Sequence, residues 1–96
     1  MSPESIALIE AETKRFASLL DERGREVFEQ LCVITKELVE LCTGFPPLVA
    51  ADFYVKALTL KPDSEYLALV TAALYTNGAD YDAMQLAINM VYENRN

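Results

Sequence analysis

The side chains of this chain best equipped for chemistry are two cysteines, five tyrosines and fifteen carboxylates; histidine is absent. General acid–base work near neutral pH most often uses an imidazole, and a Ser–His or Cys–His nucleophile pair requires one. The acids cluster at helical spacing: Glu22 with Glu26, Glu26 with Glu29, Glu37 with Glu40, and Asp80 near Asp82. Three or four residues apart, such acids line a solvated helix face, and Arg23 and Arg25 interleave the first of them as surface patterning. Arg15 sits three residues from Glu12 and can form an exposed pair of small worth. Glycines at 24, 44 and 78 are too sparse to cradle a phosphate.

Cys32 and Cys42 fall ten residues apart. On one helix that is about 15 Å along the axis, beyond the ~7 Å Cα separation a disulfide tolerates. Without histidine, two thiols at this spacing do not make a zinc site, and free cysteine is most often a small buried residue. No catalytic residue, cofactor or metal site is expected, and the chain is not expected to be an enzyme.

The tyrosines say more. Tyr54, Tyr66, Tyr75, Tyr81 and Tyr92 all lie in the second half of the sequence. Tyrosine is enriched at protein interfaces because its ring buries area while its hydroxyl keeps a polar contact. Tyr54 follows Phe53, Tyr75 follows Leu74 and Tyr92 follows Val91, so each is expected to point away from the core centre. These five are the candidate partner-binding surface. The alternative is a core boundary with the hydroxyls left in water.

The elements that position these groups follow from periodicity and punctuation. Ser2-Pro3-Glu4 starts a helix: Ser2 can cap, Pro3 suits the first turn, and Glu4 favours the positive end of the dipole. Ile6, Ile9, Phe16 and Leu20 then form a stripe that continues in phase through Gly24, Val27, Leu31, Ile34, Leu38 and Leu41. Gly24 can end a first helix, giving a hairpin, or sit inside a longer one at a cost of about 1 kcal/mol. No good N-cap lies between Gly24 and Val27, which favours one long helix, straight or kinked, over about residues 3–43.

Gly44-Phe45-Pro46-Pro47 breaks the chain, Lys61-Pro62-Asp63 breaks it again, and Asn77-Gly78 ends a third segment. Leu48, Val49, Phe53, Ala57, Leu58 and Leu60 are the expected inward face of the helix that follows Pro47. Tyr66, Leu67, Val70, Ala73 and Leu74 serve the next, and Met84, Ala87, Ile88 and Val91 the last. Asp63 and Asp80 are the expected caps. The polar tail, Glu93–Asn96, is expected to fray. No segment alternates like a strand. The fold class is therefore all-α: a compact bundle of four or five helices in one domain over residues 1–96. Residues 1–43 form the long helix or hairpin, and 45–96 form three short helices.

Hydrophobic residues make up 52% of the 96, yet the net charge is −7. A domain this small hides only about 60–65% of the surface its unfolded chain exposes, so some apolar surface should pair with another chain. A continuous first helix would run near 60 Å, while the short ones span about 20–24 Å and cannot cover it. Ile6, Ile9, Phe16, Leu20, Val27, Leu31, Ile34 and Leu38 are therefore the expected homodimer interface, most economically about a two-fold axis.

With 8 Lys and Arg against 15 Asp and Glu, direct nucleic-acid binding is not expected. No run of about 18 apolar residues predicts a membrane span, and the first residues lack a signal peptide's basic and apolar regions, so a cytoplasmic location is expected. The function these features predict is a non-enzymatic protein–protein interaction module. It would be a small regulatory inhibitor or antiactivator that sequesters a target protein, working as a homodimer. The alternatives are an acidic DNA mimic, with Glu10, Glu22, Glu26, Glu29, Glu37 and Glu40 imitating phosphates, and a structural subunit or small chaperone of a larger assembly.

Overall fold

Asp21 decides the layout of the first half. Its backbone is extended, with φ −72° and ψ 179°, and its carboxylate accepts the Gly24 N–H at 2.7 Å. That is an N-cap, and it starts a new helix. In the computed structural model, which describes residues 3–94, five helices follow in order: α1 (Pro3–Leu19), α2 (Glu22–Cys42), α3 (Pro47–Leu58), α4 (Ser64–Thr76) and α5 (Tyr81–Asn94). The side chains of Pro3, Ser5, Ile6, Ile9 and Asn94 lie outside the described set, as do Ser2 with its expected cap and Arg95 and Asn96 of the tail.

The expected continuous helix over 3–43 is thus not formed. The break falls at Leu20–Asp21, and Gly24 lies in the first turn of α2 without a positive φ. The cap stands three residues before Gly24 and not between Gly24 and Val27. The whole body measures 36 × 31 × 26 Å, with no room for a 60 Å rod. Nor do α1 and α2 form a hairpin packed along its length, because both lie against α4.

The remaining boundaries obey the sequence punctuation. Gly44 and Gly78 adopt φ of 85° and 82°, which only glycine takes without strain. At the end of α4 the Gly78 N–H donates to Tyr75 C=O and the Ala79 N–H to Leu74 C=O, a Schellman closure. Asp63 caps α4 through the Glu65 N–H, and Asp80 caps α5 through the Ala83 N–H.

Two apolar clusters hold the compact all-α bundle. The larger joins α3 to α5 and reaches α2 and α4: Cys42, Tyr54, Leu58, Val70, Leu74, Met84 and Val91 are buried, with Ala50, Ala51, Ala83 and Ala87 at 2% exposure or less. Alanines on both sides let α3 and α5 approach closely. The smaller cluster seats α1 and α2 on α4, through Phe28, Leu69, Ala72 and Ala73, with Phe16, Ala17, Leu20, Leu31 and Cys32 packed around them.

The expected inward register of α3 needs correction. Leu48, Val49 and Leu60 are exposed and Phe53 is half-buried, while Ala50, Ala51, Tyr54 and Leu58 face inward.

One polar cluster ties α2 to the end of α4. The Asn77 amide donates to Cys32 C=O at 2.8 Å, to Thr35 Oγ1 at 2.9 Å and to Ala73 C=O at 3.1 Å. The buried Thr35 hydroxyl donates in turn to Leu31 C=O. Among the described residues no buried side-chain nitrogen or oxygen is left unmatched, so the cluster fixes helix register at little cost. Among the described residues, no helix is long and apolar enough to cross a membrane.

Candidate interaction surfaces

The stripe expected to dimerise is divided by the fold. Phe16 and Leu20 pack into the smaller cluster, Leu31 touches both clusters, and Leu38 packs against the larger. Val27 and Ile34 stay outside, at 37% and 64% exposure, and Leu41 continues their row at 57%. The side chains of Ile6 and Ile9 lie outside the described residues.

The reason for the division is angular. At 100° per residue, Phe28, Thr35 and Cys42 mark the buried face of α2, and Val27, Ile34 and Leu41 lie roughly a quarter turn round from it. Leu31 and Leu38 bridge the two. The outer row repeats every seven residues and is bordered by Arg23, Gln30 and Glu37, which are exposed.

The tyrosines do not share one surface. Tyr54 is only 1% exposed and belongs to the main core, so it is not available to a partner. It lies beside Cys42 and Asp80, where α2, α3 and the α4–α5 turn meet. Burial, with the Cys42 and Asp80 charges nearby, pushes this phenol up to about 12. A hydrogen bond with Tyr54 draws the Cys42 thiol down, but burial prevails and leaves it raised. Both cysteines are free thiols. The Tyr66 hydroxyl leans on Ala57 C=O, with the Lys61 ammonium over its ring at 5.4 Å. Tyr81 is half-buried at the start of α5.

Tyr75 and Tyr92 do come together, in a trench between α1, α4 and α5 of about 380 Å³. Its floor is one face of α4 over three turns: Ser64, Leu67, Ala68, Thr71, Ala72 and Tyr75. Ile88, Val91 and Tyr92 of α5 form one wall, and Glu12 and Thr13 of α1 the other. The trench exists because α5 packs on α3 and not along α4. The Thr71 hydroxyl donates to Leu67 C=O at 2.7 Å, so the floor offers a methyl there and no unmatched donor. Hydrophobicity does not mark this face, because Ser64, Ala68, Thr71 and Ala72 are small or polar; only the helical spacing of Ser64, Leu67, Ala68, Thr71, Ala72 and Tyr75 places them together.

The carboxylate pairs are dispersed over exposed helix surface, and Arg15 pairs with Glu12 at 3.0 Å, both well exposed. Among the described residues no group of three His, Cys, Asp or Glu side chains could hold a metal ion. No family model matches the chain, and neither a curated protein nor a solved structure matches it either.

Proposed function

We propose that this chain acts by binding proteins: it pairs with a second copy of itself through α2 and, as a homodimer, restrains a target protein by sequestering it. The observation that carries this reading is the exposed heptad row Val27, Ile34 and Leu41 on a helix whose buried face is Phe28, Thr35 and Cys42. Three aliphatics aligned in water on one row of a helix are the kind of exposed apolar surface that marks an interface.

The row is symmetric about Ile34. A copy related by a two-fold axis through Ile34 sets Val27 against the partner's Leu41 and Gln30 beside the partner's Glu37. A parallel pairing brings Glu37 to Glu37. The antiparallel arrangement separates these like charges.

Light scattering during gel filtration at low micromolar concentration tests this. The expected mass is twice the 10.7 kDa chain. Ile34→Gln should return a monomer of unchanged helicity. A wild-type monomer at tens of micromolar refutes the dimer.

The DNA-mimic alternative draws on the exposed Glu22, Glu26, Glu29 and Glu40, on the side of α2 away from the core. Lys36 and Val33 sit among them, and a phosphate mimic needs an unbroken run of one sign. Target binding that resists salt supports the apolar reading.

A further inference from the structure

We infer that the α1–α4–α5 trench is the seat for a target's amphipathic helix carrying basic side chains beside its apolar stripe. This rests on the protein-binding reading above and names the class of segment bound.

The shape argues for a helix. From Ser64 to Tyr75 the floor runs about 16 Å at ~1.5 Å per residue, three turns of one α4 face. A small-molecule site closes over most of its ligand, whereas Ala68 and Tyr92 leave this trench open along its length. Ala68, Thr71 and Ala72 at mid-floor are small enough for another helix to approach closely, and Leu67, Tyr75 and Ile88 flank them with bulk. Leu8, 67% exposed, stands one turn beyond Glu12 and lengthens the α1 wall. A helix lying there would touch α4, α5 and α1 as a sixth member of the bundle.

The charge argues for basic flanks. Among the described residues, Glu12 is the only charged one lining the trench, and its partner Arg15 holds it only through an exposed pair of little worth. At the Ser64 end, just outside the trench, the exposed Asp63, Glu65 and Glu93 outnumber the exposed Lys61, and Asp63 and Glu65 sit with Lys61 and Arg23 on the neighbouring α2 side. The Tyr75 end has one charge of each sign, Glu10 and Lys14. Selection for cations is therefore concentrated at the Ser64 end, and the chain's net charge of −7 acts in the same direction at long range.

The probe is a labelled synthetic peptide of about 18 residues, long enough to hold a helix in water, with Leu on one face and Lys on the other. Controls are the same design with Glu for Lys, and the Leu/Lys composition scrambled to abolish periodicity. Fluorescence polarisation against the full chain should show saturable micromolar binding of the periodic cationic helix, at least about tenfold tighter than either control.

Ala68→Gln, which fills the floor at an exposed position without changing charge, should weaken that binding about tenfold with an unchanged melting temperature. Ile34→Gln should leave it intact even as it lowers the solution mass. Absence of binding at about 100 µM, equal binding of the scrambled or acidic peptide, or indifference to Ala68→Gln each overturns the trench assignment. Loss of binding in Ile34→Gln with none in Ala68→Gln moves the docking site to α2 and overturns it as well. A monomeric wild type that still binds the peptide through Ala68 would remove the dimer and leave this inference standing.

Discussion

Removing the cap at Asp21 gives a sharp test of how the first half of the chain is built. Asp21→Ala deletes the carboxylate that accepts the Gly24 N–H at 2.7 Å. Loss of such a cap costs about 1 kcal/mol. Unfolding entropy near 2.1 cal/mol/K per residue converts that into a melting shift of about −5 °C for 96 residues. Gly24→Ala pulls the other way. Alanine gains up to about 1 kcal/mol of helix propensity. Its Cβ would meet Asp21 Oδ1 at 3.1 Å and Leu20 Cδ2 at 3.4 Å. The first atom is the exposed end of a rotatable side chain and can retreat by a few tenths of an ångström, leaving the cap near 3.0 Å and intact. The net expectation is stabilisation of about 0.5 kcal/mol alone, and of about 1 kcal/mol in the Asp21→Ala background, where the close contact is gone. Urea denaturation of the four proteins in the cycle measures both values and their coupling. Helicity should not rise in any variant, since fusing α1 to α2 would lift Phe16 and Leu20 off the Phe28 cluster. A Gly24→Ala cost above about 1 kcal/mol, or an Asp21→Ala variant as stable as wild type, refutes this account of the break.

Three further outcomes are expected. Leu58→Ala should cost about 3 kcal/mol by denaturation, while Leu60→Ala, at a site 73% exposed, should change stability by less than about 0.5 kcal/mol; the reverse order would restore the Leu60-inward register of α3. Asn77→Ala should cost about 1–2 kcal/mol by stranding the acceptors of α2 and α4. Asn77→Asp should be worse at neutral pH and partly relieved by acid, because a carboxylate would face carbonyl oxygens where a donor is needed. Tyr54 ionises near 12 when folded against about 10 when unfolded, so its stabilising share is complete below pH 10 and lost as pH rises towards 12. That share is about 2–3 kcal/mol. Denaturation across this range should show wild type weakening relative to Tyr54→Phe, and parallel losses would contradict it.

The legible parts of the fold were those written in residues with one dominant conformational use. Gly44 and Gly78 needed positive φ, Pro47 opened a helix, and Asp63 and Asp80 capped where their side chains reach back to the backbone. Helix faces were legible only where polar contrast existed. In α5, Met84, Ala87 and Val91 stood out among Asn, Gln and Asp, and they are buried. In α3 nearly every residue is apolar, so the large ones drew the face towards Leu48 and Phe53. The packing was instead set by the smallest, Ala50 and Ala51, which meet Ala83 and Ala87. Size complementarity between two helices is not visible in either one alone. Tyr54 was misplaced for a related reason: its hydroxyl suggested water, but it lies inside, beside Cys42 and Asp80. The stripe from Leu20 through Gly24 to Val27 ran in phase, and phase cannot register a cap that breaks the helix one residue after Leu20.

The apolar surplus that first suggested a partner has therefore moved. A long uncovered N-terminal rod would have concentrated it on α1. With α1 seated on α4, part of that surplus lies in the Val27–Ile34–Leu41 row and the trench along α4, and the rest is spread over residues such as Leu8, Leu19, Val33 and Leu60. The row and the trench share no residue, so self-pairing and target binding need not compete. The floor of the trench touches the cluster that meets α2 only at Ala72 and shares no residue with the exposed row, so an α2-mediated dimer would leave both trenches open. Two sites on one body raise the effective concentration for a target that is itself a dimer, and affinity can then exceed that of either site by orders of magnitude without a new contact. That arithmetic is what the proposed homodimer would gain: if the chain sequesters a target, two grooves joined by a pair of helices would hold it more tightly than one three-turn groove alone.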